Sequence, residues 1–132
     1  MAQPRTGPDP VIGPDTQRYW QAASAGKLLV GHCADCNKAH FYPRPHCPFC
    51  FSARVDWIAA AGSGTIYSFS ILRRVQTPYC LAYVTLEEGP CMMTNIVDCD
   101  LDAIRIGAPV RLVFHTSAGG QAVPMFTLAE TG

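Results

Sequence analysis

Four of the chain's seven cysteines form two identical short pairs within one segment. Cys33 and Cys36 make the first C-x-x-C pair, and Cys47 and Cys50 make the second, with ten residues between the pairs. Zinc favours four tetrahedral ligands and accepts thiolates readily. Each C-x-x-C turn brings two sulfurs onto one ion, so two facing turns complete the coordination shell. The spacing therefore predicts a structural zinc ribbon with one ion per chain and no position left for water or substrate.

The same four thiols admit other interpretations. Iron accepts the same sulfur ligands, and the sequence does not separate iron from zinc. A thioredoxin-type redox site needs one C-x-x-C pair at a helix start in a βαβ setting, and the pattern here lacks that setting. His32, His40 and His46 flank the cysteines. Because four thiolates already fill a tetrahedron, we expect these histidines to be solvated or to lie behind the ligands.

The other three cysteines, Cys80, Cys91 and Cys99, lie in or beside predicted strands. A free cysteine behaves as a small apolar residue, so we expect these thiols to pack in the core. The alternative is a small cysteine enzyme, which needs a base beside the thiol. His115 is the only histidine outside the ribbon segment, and no pattern brings it to a thiol. Since nucleophile-elbow, phosphate-loop and dinucleotide-binding motifs are also missing, we predict no catalytic residue.

The elements that position these cysteines follow from the surrounding pattern. Asp15 or Thr16 can cap a short helix that Gly26 ends, and Tyr19 and Trp20 give the helix an aromatic face. The segment "KLLVGHC" then predicts a strand that leads into the first cysteine pair. After Cys50, "RVDWIAA" alternates with the period of a strand.

From Thr65 onward the chain predicts five strands with a longer link between the third and the fourth. That pattern suits a small closed barrel of the oligonucleotide/oligosaccharide-binding (OB) type. In the first of these strands, alternation with serines predicts that Tyr67 and Phe69 face the core, rather than forming a base-stacking platform. The next strand, "YCLAYVTLEE", is apolar almost throughout and predicts a strand covered on both faces. Glu87 and Glu88 fall in a turn that we expect to be solvated.

Composition limits the range of functions. The chain has 132 residues, of which 48% are apolar and 15% charged, and its formal net charge is zero. A net charge of zero argues against nucleic-acid binding, because proteins that bind nucleic acids carry an excess of basic residues that neutralises the phosphates. No apolar run reaches the roughly 18 residues of a membrane span, and the start lacks a signal-peptide pattern. We expect a cytoplasmic protein with a loose tail over 1–14, a helix and ribbon over 15–61, and a barrel over 62–132.

Taken in order, several segments resemble one family of small zinc-ribbon plus OB-fold proteins, which act as accessory subunits of thiolase-like enzymes. The resemblance covers about residues 15–128. Members often have glycine after the second and fourth cysteines, where this chain has Asn37 and Phe51. The matching segments are "DTQRYWQAASAGKLLV", "CADC", "YPRPHCPFC", "GSGTIYSFSIL", "YVTLEEGP", "NIVD", "IGAPVRLVF" and "VPMF".

The resemblance implies a mainly β fold, with an N-terminal helix and a rubredoxin-like zinc ribbon followed by a five-stranded OB barrel. It also implies a non-catalytic subunit that binds a thiolase, acyltransferase or aldolase in a hetero-oligomer and supports its acyl-coenzyme A site. The catalytic residues would belong to the larger partner, and a coenzyme A thioester would be shared with it. Arg73 and Arg74, at the end of the first barrel strand, are either a solvated strand end or the candidate contacts to coenzyme A or to the partner. The alternatives are a nucleic-acid-binding ribbon and barrel module, or a standalone small cysteine enzyme.

Overall fold

The protein is described from a computed structural model that covers residues 9–14, 16–41 and 44–129. In these residues one α-helix is followed by eight strands, and a 3-10 turn at Leu101–Ala103 lies between the sixth and the seventh strand. The elements are α1 (Gln17–Ser24), β1 (Leu29–Cys33), β2 (Ala39–His40), β3 (Val55–Ala59), β4 (Ser63–Leu72), β5 (Tyr79–Leu86), β6 (Cys91–Ile96), β7 (Pro109–Thr116) and β8 (Ala122–Leu128).

The strands form two sheets, which correspond to the predicted ribbon and barrel. β1 lies between β2 and β3 in a three-stranded antiparallel sheet, and β4 to β8 close into a barrel with the order β4-β5-β6-β8-β7. The barrel closes through a parallel pairing of β6 with β8, at Ile96 and Phe126. The predicted mainly β fold and five-stranded barrel are therefore confirmed.

The helix ends as the sequence predicts. Gly26 adopts a left-handed backbone with φ of 83°, which costs glycine little. The backbone N–H groups of Gly26 and Lys27 donate to the carbonyls of Ala23 and Ala22, in a Schellman arrangement. At the other end Thr16 is the N-cap, and its hydroxyl hydrogen-bonds Gly13 rather than the helix. Asp15, the other predicted cap, lies outside the described residues.

The helix joins the ribbon to the barrel. Tyr19 and Trp20 are buried in the same cluster as the barrel core, and their rings meet edge to face at 4.9 Å. The Arg18 guanidinium lies 5.8 Å from the centre of the Trp57 ring on β3. From the barrel side, the Gln121 amide donates to the Trp20 carbonyl at 3.0 Å. The aromatic face predicted for this helix therefore serves to dock it.

The first barrel strand departs from the predicted alternation. The pairing of β4 with β5 shifts between Ile66 and Ser68, so an extra residue is inserted there. A β-bulge of this kind reverses which side chains face inward. Ile66 is buried, whereas Tyr67 is 68% exposed. The prediction that Tyr67 faces the core is wrong, while Phe69 still packs against the core.

The second barrel strand is covered on one face only. Cys80, Ala82, Val84 and Leu86 alternate into the core, as expected for a barrel strand. The residues between them point outward, and Tyr83 is 49% exposed. The prediction that both faces of this strand are covered is therefore wrong: within this chain only one face is.

The segment before the helix also contacts the barrel. Asp9 Oδ1 accepts hydrogen bonds from the Ser117 hydroxyl at 2.7 Å and the Gly119 N–H at 2.6 Å. These two bonds lower the pKa of Asp9, the Ser117 bond more strongly. Residues 1–8 of the predicted tail lie outside the described residues, and the three domain boundaries stay predictions. Among the described helices, none is long and apolar enough to cross a membrane.

Candidate metal centre

Two matching turns carry the four ribbon cysteines. The first joins β1 to β2 and holds Cys33 and Cys36, and the second precedes β3 and holds Cys47 and Cys50. In the first turn the Asn37 N–H donates to the Cys33 carbonyl at 2.9 Å. The second turn repeats that bond between the residue after Cys50 and the Cys47 carbonyl, also at 2.9 Å. The repeated bond shows that both pairs fold as the same thiolate knuckle.

Both knuckles close on a left-handed residue other than glycine. Asn37 has φ of 59° and Phe51 has φ of 63°. Asparagine tolerates this conformation, and its side chain is further held by a 2.9 Å hydrogen bond with His32. Phenylalanine does not favour it, yet the second knuckle keeps its geometry, and the Phe51 side chain is 79% exposed. The substitution of glycine by Phe51 therefore leaves the ligand arrangement intact.

The knuckles bring all four sulfurs together. The four Sγ atoms lie within 4.8 Å of one another. The Cys33–Cys50 and Cys36–Cys47 separations are 3.6 Å each. Four sulfurs each about 2.3 Å from a central ion would lie about 3.8 Å apart. The donor set therefore fits a tetrahedral metal site made entirely of thiolates.

The electrostatics of the thiols also favours a cation. The Cys36 N–H is the largest influence on Cys33, and it lowers the pKa of that thiol. Burial acts to raise the pKa of Cys47, but N–H groups of Cys50 and Phe49 outweigh it and lower the value to about 7.

The other two thiols shift the opposite way. Burial raises the pKa of Cys36. The Ser52 N–H acts to lower the pKa of Cys50, but burial and the three neighbouring sulfurs raise it to about 12. Two thiols with a lowered pKa beside two with a raised pKa are expected when four sulfurs lie close together without a positive charge. A divalent cation would supply the charge that allows all four to ionise.

A shell of four thiolates has a structural rather than a catalytic role, because it leaves no position for substrate. Among the described residues, the group of side chains that could hold a metal ion contains these four cysteines and no histidine. Instead, His40 is buried against Gly31 on the neighbouring strand, and His46 is exposed. The flanking histidines are therefore not part of the four-sulfur group.

Polar contacts brace the two knuckles against each other. Asp35, between the first two ligands, pairs with Arg54 through Oδ1 and Nη1 at 2.6 Å. The second oxygen of Asp35 accepts a hydrogen bond from the Ser52 hydroxyl. Since Ser52 and Arg54 follow the second knuckle, these contacts tie one turn to the chain that leaves the other.

The strand-end arginines lie far along the chain from this centre. Arg73 Nη2 pairs with Asp102 Oδ1 at 2.8 Å, and both side chains are well exposed. Arg105 Nη1 donates to the Asp102 carbonyl at 2.7 Å, so two guanidinium groups converge on the 3-10 turn. Arg74 is exposed beside Arg73. Part of the hydrogen-bonding capacity of Arg73 is therefore engaged within the chain.

The barrel thiols do not form a catalytic pair with histidine. His115 Nε2 instead lies 2.9 Å from Asp98 Oδ2, in the loop after β6. Burial raises the pKa of both Cys80 and Cys99, which disfavours their nucleophilic thiolate forms. Cys91 is exposed on β6, and its sulfur lies 3.5 Å from the Thr85 hydroxyl. The prediction that all three thiols pack in the core is thus wrong for Cys91.

Glu87 and Glu88 do more than occupy a solvated turn. Glu88 Oε2 accepts a hydrogen bond from the Ala61 N–H at 2.8 Å, and Glu87 Oε2 accepts one from the Ser63 hydroxyl at 2.5 Å. Both partners lie where the ribbon passes into the barrel. The pair therefore fastens the β5–β6 turn to that connection, which the sequence pattern did not indicate.

Comparison with known proteins finds matches to both parts of the chain. The rubredoxin-like zinc ribbon domain of ChsH2 matches residues 20–56, and the C-terminal OB-fold domain of ChsH2 matches residues 57–115. A chain in a solved structure titled Ltp2-ChsH2(DUF35) aldolase is 33% identical, with a TM-score of 0.81. The match covers 92% of this chain and 100% of that one.

Two curated relatives differ in how much of them the chain represents. A DUF35 domain-containing scaffold protein of Methanothermobacter thermautotrophicus is 34% identical over 109 residues, which are 76% of this chain and 82% of the relative. A probable enoyl-CoA hydratase alpha subunit of Thermomonospora curvata is 34% identical over 124 residues. That match is 90% of this chain but 39% of the hydratase subunit, so the chain spans well under half of that relative.

Proposed function

This chain belongs to the DUF35 family of ChsH2-type zinc-ribbon and OB-fold proteins, and on that premise we propose that it is a non-catalytic accessory subunit of a thiolase-like acyl-CoA enzyme. One observation carries the proposal: the chain matches the full length of the ChsH2(DUF35) chain in an aldolase assembled with Ltp2. A somewhat shorter chain with the same fold thus occurs in a structure whose title names an aldolase of Ltp2 and ChsH2.

The described residues support a non-catalytic role. The four ribbon sulfurs form a closed site, His115 pairs with Asp98, and the pKa of Cys80 is raised by burial. Relatives carry both scaffold and enzyme-subunit names. Because the chain represents only 39% of the hydratase alpha subunit, that activity is not transferred to it.

Two ligands belong to this proposal. We assign one structural zinc per chain to Cys33, Cys36, Cys47 and Cys50, since zinc accepts four thiolates and the described sulfurs have a suitable spacing. Coenzyme A of the acyl-CoA substrate, shared with the partner, is assigned to the side of the barrel that carries Arg73 and Arg74. The exposed guanidinium groups there suit phosphate oxygens. The proposed setting is a cytoplasmic hetero-oligomer.

The experiment is affinity purification of the tagged chain from its native host, followed by mass spectrometry of the proteins that elute with it. We expect a thiolase-fold enzyme in near-stoichiometric amount, and a Cys47→Ser chain that no longer retains it. Recovery of the chain with no acyl-CoA enzyme would contradict the proposal. Metal analysis of the same sample distinguishes zinc from iron.

A further inference from the structure

One side of the barrel carries no charge. The strands β4, β5 and β6, of 10, 8 and 6 residues, form consecutive neighbours and contain no acidic, basic or histidine residue. A sheet face in contact with water usually has polar residues alternating with the apolar residues of the core. The inward half of that pattern is present in β5 and β6, where every second residue is buried. The outward half is uncharged: hydroxyl and amide side chains such as Ser70, Thr85 and Asn95 lie among apolar ones.

The outward residues of these strands include large apolar side chains. Tyr67 is 68%, Tyr83 49% and Met93 60% exposed, and Leu81 is 37% exposed. These side chains are neighbours. Tyr83 pairs with Met93 on β6, and on its other side it pairs with Ser68 on β4, the residue after Tyr67. We call this surface, defined by Tyr67, Leu81, Tyr83 and Met93, the uncharged face.

Charged side chains border the uncharged face at the strand ends. Arg73 and Arg74 directly follow β4, Glu87 directly follows β5, and Asp98 lies two residues beyond β6, and all four are exposed. Protein interfaces have this anatomy, with a centre enriched in tyrosine and methionine and poor in charge, inside a polar rim. The apolar sequence of β5 also predicts a strand covered on both faces, and the chain itself covers only one.

We propose that the uncharged face is where the thiolase-like enzyme subunit docks, an inference that rests on the proposed function and adds the surface to it. Charge decides the kind of partner. Single-stranded nucleic acid or an anionic lipid surface needs basic side chains, and β4, β5 and β6 have none. A charged group of a partner would lose its hydration here without gaining an opposite charge. The matching patch is therefore a neutral, apolar protein surface.

Native residues allow the face to be mapped without mutation. Met93 is exposed on it, and Cys91 is exposed on the same side of β6 two residues away, so oxidation of the thioether and alkylation of the thiol report its accessibility. In the complex purified from the host, we expect both reactions to slow at least tenfold relative to the chain alone. Met125 on β8, which is partly exposed and off the face, is the internal reference and should keep its rate.

Charge insertion provides the second test. We expect Tyr83→Glu and Met93→Glu each to weaken binding of the purified enzyme subunit by roughly a hundredfold, because the new carboxylate is buried without a partner. Ile106→Glu is the matched control, since Ile106 is 69% exposed in the turn before β7, and we expect it to bind normally. All three variants should keep their zinc and their circular dichroism spectrum.

The outcomes separate the face from the function. If the enzyme subunit co-purifies but Cys91 and Met93 react at unchanged rates, and both Glu variants still bind, the docking face is wrong while the proposed function stands. Protection that appears in the chain alone and rises with its concentration would assign the face to a second copy instead. Binding of single-stranded DNA or phosphatidylserine vesicles that Tyr83→Glu abolishes would equally overturn the inference. If no acyl-CoA enzyme co-purifies, the proposed function fails and the inference fails with it.

Discussion

The ribbon buries few apolar side chains, whereas the barrel closes around a continuous apolar core. Among the described residues from β1 to β3, the buried side chains are those of Val30, Cys33, His40 and Cys47, and two of these are proposed metal ligands. Every strand of the barrel, by contrast, contributes a buried aliphatic or aromatic residue, such as Phe126 at 0% exposure. The difference teaches that the two parts of one small chain are stabilised in different ways. We expect the order of the ribbon to depend on its metal, and that of the barrel on buried apolar area.

The largest effect is expected from losing a ligand. In Cys47→Ser, we predict that zinc falls from one per chain to nearly none and that the ribbon unfolds, because three thiolates no longer close the tetrahedron. The barrel should keep its strand signal in circular dichroism. Cys91→Ser, which removes an exposed thiol outside the ribbon, is the control and should retain the full zinc content.

A cavity in the barrel core should destabilise the barrel and leave the ribbon able to bind zinc. We expect Phe126→Ala to lower the free energy of unfolding by about 3–5 kcal/mol, measured by urea denaturation. Below its unfolding transition the variant should still bind one zinc. Tyr67→Ala, at an exposed position, should change the same free energy by less than about 0.5 kcal/mol. Equal losses in both variants would contradict the core described for the barrel.

Gly31 tests packing inside the ribbon. A Cβ at this position would lie 2.3 Å from the His40 ring, which is buried, so the ring or the strand would have to shift. We predict that Gly31→Ala lowers the stability of the zinc-bound ribbon by about 1–3 kcal/mol. Faster loss of zinc to a chelator is the readout. Gly13→Ala, where nothing lies within 4 Å of the new methyl group, should behave like the original chain.

Replacing Phe51 is expected to raise the stability of the chain, unlike the substitutions above. Because its φ of 63° is strained for a side chain and the ring is mostly exposed, we predict that Phe51→Gly stabilises the zinc-bound chain by about 1 kcal/mol. Asn37→Gly should change the stability very little. Asparagine tolerates φ of 59°, so little strain is relieved, and the loss of the hydrogen bond with His32 offsets that small gain. Thermal unfolding of both variants with zinc present checks the difference. A destabilised Phe51→Gly would mean that the ring has a packing role in this chain.

The smallest effect concerns Asp9 and pH. The pKa of this carboxyl is lowered in the folded chain, first by the Ser117 hydroxyl and then by the Gly119 N–H. The contact is therefore fully present above the ordinary pKa of 3.8 and is lost as the pH falls through the lowered value. We expect the Gly119 amide resonance to titrate over that acid range. In Asp9→Asn the resonance should not titrate there, and a titration that persists would contradict the assignment.

The parts of the fold that repeat short local rules were predictable from sequence. Spacing identified the four thiols, Gly26 marked the end of the helix, and strand alternation gave the five-stranded barrel. These features depend on residues close together in the chain, so their patterns are visible without tertiary structure. Arg73 and Arg74 could be placed at a strand end, but their role stays a prediction.

The features that sequence missed arise from contacts between distant segments or from one-residue irregularities. The bulge after Ile66 turns Tyr67 outward, and nothing in an alternating stretch marks an inserted residue. Asp9 reaches Ser117 across more than a hundred positions. The pairing of His115 with Asp98 likewise needs the barrel to close first. The apolar sequence of β5 predicted that both faces of the strand are buried. The chain itself buries one face, and the docking inference assigns the other to the enzyme subunit.

Native mass spectrometry of the protein purified from its host under gentle conditions is the most direct test of the central claim. It reads the metal content and the partner in one spectrum. An accessory subunit of the kind proposed would appear as this chain with one zinc, bound to a thiolase-fold enzyme subunit. A spectrum that shows only the free chain, or a complex that forms equally well without zinc in the ribbon, would contradict the account.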